Sequence, residues 1–154
     1  MRSRSILSAV ILLILSATVG ADSNGRDVRA FGFDDIEWKS SAIECTKIAV
    51  LAGNPREGMH HAYLKMSDGC LIPPHSHTTD EYVTVVSGTS RLGVGKTADR
   101  SKAEKYGPGS FVFFPAGTPH YGWAEGECVL SQTRSGAVDF HWANPEDDTA
   151  RKRE

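Results

Sequence analysis

Gly69-Cys-Leu-Ile-Pro-Pro-His75-Ser-His77-Thr-Thr-Asp-Glu81-Tyr-Val-Thr-Val-Val-Ser-Gly88 gathers two histidines and a glutamate within seven positions between two glycines. In an extended chain successive side chains alternate faces, so His75 and His77 project to one side and their imidazoles converge. After the polar link Thr78-Thr79-Asp80, Glu81 opens Tyr82-Val83-Thr84-Val85-Val86, a β-branched run that predicts a strand. Period two puts Glu81 on the same face as Val83 and Val85. A carboxylate on an apolar face is costly to bury unless something pairs with it, and a divalent cation would do so.

A second segment, Gly109-Ser-Phe-Val-Phe-Phe114-Pro115-Ala-Gly117-Thr-Pro119-His120-Tyr-Gly-Trp-Ala124, supplies a fourth candidate ligand. Phe111 to Phe114 reads as a strand, Pro115 to Pro119 as a tight turn, and His120 as the first inward residue of the next strand. Gly122 and Ala124 share parity with His120, so the inward face beyond it is nearly bare and leaves space next to a metal.

These two segments resemble the motifs of the cupin superfamily, G-x5-H-x-H-x3-4-E-x6-G and G-x5-P-x-G-x2-H-x3-N. The first matches at every fixed position. In the second, Gly109, Pro115, Gly117 and His120 match, while Ala124 stands where the pattern has Asn, so one structural hydrogen bond of the pattern is missing and the ligand set is intact. The resemblance implies an all-β fold, the double-stranded β-helix or jelly-roll barrel. It also implies that His75, His77, Glu81 and His120 hold one divalent metal. The stretches Leu51 to Pro55, Trp123 to Glu127 and Ala143 to Asp148 look like those of small single-domain cupins related to the cupin domain of certain anti-sigma factors.

The chain of 154 residues, 40% hydrophobic, has room for one domain with a core. Met1 to Ser5 is basic, Ile6 to Leu15 apolar, and Val19-Gly20-Ala21 offers a cleavage site before Asp22, the pattern of a secretory signal. The expected division is a signal peptide at 1–21, an N-terminal docking segment at 22–44, a cupin barrel at 45–145 and a polar tail at 146–154. Export to the periplasm or the medium follows, with no membrane association after cleavage. Removal of residues 1–21 takes Arg2 and Arg4 and leaves 15 basic against 19 acidic residues. Apart from Arg151-Lys152-Arg153 the basic residues are scattered, which argues against a nucleic-acid partner.

Short runs at 45–51, 61–66, 70–73, 82–87, 90–94, 110–114, 120–124, 128–134 and 138–142 predict the strands, with Gly/Pro turns between them. Thr97 to Tyr106 is the only helix-like stretch. Cys45, Cys70 and Cys128 admit one disulfide or none. His60, His61 and His141 read as exposed or satisfied histidines. Either Gln132 and Arg134 or Ser131 and Thr133 line the cavity, since alternation permits one set per face. Tyr121 and Trp123 point away from the metal, where a large aromatic surface predicts a homodimer contact or packing beneath Phe31, Phe33 and Trp38.

Three imidazoles and one carboxylate suit Fe(II), Mn(II), Ni(II), Cu(II) or Zn(II) and leave positions open for a small-molecule substrate or ligand. The leading expectation is a metal-dependent enzyme, dioxygenase-like, in which Glu81 is ligand and catalytic residue. The alternative is a metal- or ligand-sensing module without turnover.

Overall fold

The computed structural model describes residues 17–21, 23 and 27–148. Most of the expected signal segment and the Arg151-Lys152-Arg153 cluster lie outside them. The chain divides into two units, residues 1–36 and 37–154. In the first, β1 (Ala17–Ala21) pairs antiparallel with β2 (Asp27–Ala30), followed by the 3-10 turn η1 (Phe33–Asp35), which the Asp35 carboxylate caps by accepting from the Gly32 N–H. Cleavage after Ala21 would remove β1 entirely.

The second unit is one curled antiparallel sheet. Its strands are β3 (Lys39–Ser40), β4 (Thr46–Gly53), β5 (His60–Met66), β6 (Leu71–Ser76), β7 (Glu81–Val94), β8 (Glu104–Tyr106), β9 (Phe111–Phe114), β10 (His120–Arg134) and β11 (His141–Trp142), with a closing 3-10 turn at Pro145–Asp147. The all-β expectation holds. Strand β10 organises the sheet: it pairs with β7 along most of its length, while its first residues also pair with β6 and its last seven with β5.

Two pairs of predicted strands are single long strands. Runs 82–87 and 90–94 form β7, and 120–124 and 128–134 form β10, because the breaks at Gly88 and Gly126 are irregularities inside a continuous pair, where the register shifts between Glu125 and Val129. Gly88 has φ +75°, and a Cβ there would lie 2.2 Å from the Glu127 carbonyl oxygen and 2.8 Å from the Cys128 Cα. The close backbone approach lets both strands bend together around the core. That core includes Leu64, Met66, Val83, Val85, Leu130 and Cys128.

The helix-like stretch Thr97 to Tyr106 is not a helix. Asp99 turns the chain by accepting from the Ser101 N–H and hydroxyl, the buried Ala103 gives its carbonyl to Arg91, and Glu104 to Tyr106 pairs with β7 as β8. Local propensity yields here to the open edge of β7. This excursion also overturns the premise for a dimer through Tyr121, which is 1% exposed. Its ring lies over Gly93, where a Cβ would come within 2.4 Å, and its hydroxyl donates to the Asp99 carbonyl at 3.1 Å. Trp123 meets Tyr121 edge-on at 5.5 Å, and the Trp38 ring carries the Lys65 ammonium at 4.6 Å.

Of the two cysteine alternatives, the structure has the disulfide, Cys45–Cys70, joining the starts of β4 and β6 across a sequence separation of 25. A loop of that size corresponds to about 3.5 kcal/mol of stabilisation in the chain-entropy account. Cys128 is free and buried, and loss of solvent pushes its thiol up to about 11, so it stays protonated and inert.

Gly88→Ala should lower unfolding stability by ~2–4 kcal/mol, from the positive φ and the backbone collision together. Urea denaturation checks it; a change of a few tenths of a kcal/mol would mean that the strands do not approach this closely.

Candidate metal centre

The predicted ligands converge. His75 is the last residue but one of β6, His77 lies just past its end, Glu81 begins β7 and His120 begins β10, directly opposite His75 in register. One donor atom from each lies within 4.8 Å of the others, and all four residues are buried. The flat stacking of His120 on Phe114 (centroids 4.1 Å apart, planes 12° apart) holds that ring in place.

Backbone carbonyls fix the tautomers. The Nδ1 of His75 is 2.7 Å from the Pro73 oxygen and that of His120 is 2.9 Å from the Thr118 oxygen, while His77 Nδ1 meets the Asp139 carbonyl. A carbonyl only accepts, so each Nδ1 carries the proton and each Nε2 presents a lone pair to the centre. There Glu81 Oε2 stands 3.1 Å from His120 Nε2 and 3.5 Å from His77 Nε2. His77 Nε2 has no hydrogen-bond partner; of the described buried side-chain polar atoms only Thr79 Oγ1 shares that condition. Lone pairs and a carboxylate oxygen at this range repel unless a cation lies between them. The residues therefore fit a divalent metal, and its donor set of three imidazoles and one carboxylate suits the first-row transition series.

The second Glu81 oxygen is fully used. Oε1 accepts from Gln132 Nε2 at 2.9 Å and from Arg134 Nε and Nη2 at 3.2 and 2.9 Å. Burial pushes the Glu81 carboxyl up, but His120 and His77, which can donate to it once a ring takes up a second proton, and the Arg134 charge hold it well below its usual range. Burial lowers His75 to about 3, helped by the neighbouring His120. A neutral imidazole is the coordinating form.

The register left open in the sequence is settled: Gln132 and Arg134 line the cavity beside the ligands, whereas Ser131 and Thr133 face His61, whose Nδ1 is 2.7 Å from Thr133 Oγ1. His141 is exposed and pairs with Asp139, as expected of a non-ligand. Two residues escaped the sequence reading. Asp139 orients His77 through its carbonyl and caps Thr78 N–H through its carboxylate; the alternation Val138-Asp139-Phe140 was its one available signal. His60, read as exposed or satisfied, is satisfied at Nδ1 by the Gly58 carbonyl but is buried and lines the cavity.

That cavity has a volume of about 210 Å³. Ile72, Leu92, Leu130, Val138 and Phe140 supply apolar wall beside His75, Glu81 and His120.

Residues 62–131 match the model of the cupin domain, and the chain therefore contains a cupin superfamily domain. Solved structures of the same fold agree. The polyketide cyclase RemF from Streptomyces resistomycificus is 19% identical, with TM-score 0.64 over 82% of this chain and 94% of that one. The DMSP lyase DddQ from Ruegeria pomeroyi is 17% identical, with TM-score 0.55 over 68% and 58%. The salicylate 1,2-dioxygenase from Pseudoaminobacter salicylatoxidans is 11% identical, with TM-score 0.51 over 59% and 25%. No curated protein is significantly similar in sequence. Three chemistries on one fold at this identity show the fold alone.

Acid should destabilise the metal-free protein. His75 is held below its unfolded value of 6.5 and Glu81 below 4.5, so the unfolded chain takes up protons first as pH falls. Stability from His75 is complete above pH 6.5 and declines toward about 3, by ~1.4 kcal/mol per pH unit for one proton; Glu81 adds to the loss below 4.5. Chemical denaturation between pH 7 and 5 measures the slope, and His75→Gln should flatten it.

Proposed function

We propose that the protein is an exported, metal-dependent enzyme acting on a small organic molecule, with dioxygenase chemistry the reaction class to test first. The observation that supports this reading is the placement of three of the four ligand residues, His75, Glu81 and His120, in the wall of an apolar cavity rather than in a closed cage. When bound, a divalent transition metal would supply Lewis acidity and, for iron or copper, a route to dioxygen activation. His75, His77, Glu81 and His120 would hold it. The apolar walls would exclude water and orient the organic part of the substrate.

Glu81 acts in this account as a charge-balancing ligand. Its proton affinity is low and Oε1 is pinned by Arg134 and Gln132, so it is a weak candidate for moving a proton. The same pinning favours the second reading, a ligand-binding or sensing module without turnover. Export is supported by the basic and apolar N-terminus and by the Cys45–Cys70 disulfide, which suits an oxidising compartment. A homodimer belongs to the proposal too. Its support is an exposed aromatic patch, Phe111 with the stacked pair Tyr82 and Phe113, on the outer face of β9 and β7.

Metal analysis of protein purified without added metal, followed by oxygen uptake with catechols, thiols and β-diketones, tests the reading. The expected result is about one iron, copper, manganese or nickel per chain, at least tenfold lower occupancy in His120→Ala, and unchanged occupancy in His141→Ala. Metal content indifferent to His120→Ala would defeat the four-ligand assignment; full occupancy without turnover would favour the binding module. Light scattering tests assembly: the wild type should be dimeric and Phe113→Glu monomeric, and a monomeric wild type at tens of micromolar would remove the dimer.

A further inference from the structure

One row of directly opposed residues crosses the sheet inside the cavity. Gly53 on β4 faces His60 on β5, His60 faces Arg134 on β10, Arg134 faces Glu81 on β7, and Glu81 faces Phe114 on β9. Opposed residues of antiparallel strands share a face, and neighbouring strands lie ~4.8 Å apart. His60 is thus beside Arg134 and two strands from Glu81, and all three line the cavity.

Each of the first two has unused hydrogen-bonding capacity. His60 is 5% exposed, and its Nδ1 meets the Gly58 carbonyl at 3.0 Å, so Nδ1 carries the proton and Nε2 is purely an acceptor. That Nε2 has no partner among the described residues. Arg134 is also 5% exposed; its Nε and Nη2 are spent on Glu81, while Nη1 has no acceptor among the described residues. The guanidinium lies 5.3 Å over the Phe140 ring. Arg134 and Glu81 are the only permanently ionised groups on the wall and balance each other, so a divalent cation on the ligands would leave the apolar chamber short of negative charge.

We propose that His60 and Arg134 form a recognition pair for a 2-hydroxy acid with an apolar substituent. The carboxylate takes the free Arg134 Nη1, the adjacent hydroxyl donates to His60 Nε2, and the substituent occupies the wall formed by Leu130, Val138 and Phe140. This names a ligand class for the cavity and rests on the reading of that cavity as the substrate chamber. A deoxy acid has no hydroxyl, and a 2-oxo acid has an acceptor where His60 requires a donor. Both leave the His60 Nε2 without the hydroxyl's hydrogen bond, which is the basis of discrimination.

Calorimetric titration with mandelate, phenylglyoxylate and phenylacetate reads the preference directly, on chelator-treated and on metal-loaded protein. Mandelate should bind about tenfold tighter than either analogue, the worth of one good hydrogen bond. His60→Phe should abolish that preference with metal content and melting temperature unchanged, and Arg134→Gln should weaken all three acids. Equal affinities in the wild type, a preference that survives in His60→Phe, or no binding of any of the three would overturn the proposal. The wild-type comparison stands even if a variant fails to fold. Absence of metal from the purified protein would count against the metal enzyme alone, because the preference is also read without metal.

Discussion

An ionised carboxylate buried to 1% exposure, on a strand face otherwise made of valines, is the constraint that the site answers to. Unpaired, Glu81 would cost several kcal/mol. The fold answers it unevenly: Arg134 and Gln132, from the far end of β10, hold one oxygen, while the other faces the Nε2 lone pairs of His77 and His120 and calls for a cation. The division matters because one oxygen is committed to the protein and the other is left to the imidazoles.

The path of β10 explains how one strand can serve both sides of that carboxylate. Its first residue is a ligand and the last of its 15 residues is the arginine, while the bend near Gly88 and Gly126 folds β7 and β10 together. The backbone also sets the chemistry of the rings. Three carbonyls, on Pro73, Thr118 and Asp139, hold the Nδ1 protons and turn the Nε2 lone pairs inward, so no carboxylate is needed for that purpose.

Much of this was legible in the sequence because it is written locally. His75, His77 and Glu81 lie within one turn-and-strand segment, and the Pro/Gly turn before His120 announces its position. What was not legible depends on distant pairing. Alternation alone cannot say which parity of residues 131–134 faces inward; the pairing of Arg134 with both Glu81 and His60 decides it. Thr97 to Tyr106 has helical composition, and only the open edge of β7 makes it turn and strand. Tyr121 read as a surface aromatic because the excursion that covers it is invisible without that pairing. His60 read as ordinary because its burial is set by strands far away in sequence.

The central claim is that the three imidazoles are held as Nδ1–H tautomers with Nε2 aimed at a cation. Two-bond proton–nitrogen NMR correlation spectra of the 15N-labelled metal-free protein near neutral pH test it most directly. The account predicts Nδ1-protonated patterns for His75, His77 and His120, with one equivalent of Zn(II) shifting the Nε2 resonances of all three. A neutral Nε2–H tautomer at any of them, or an Nε2 resonance untouched by metal, would contradict it.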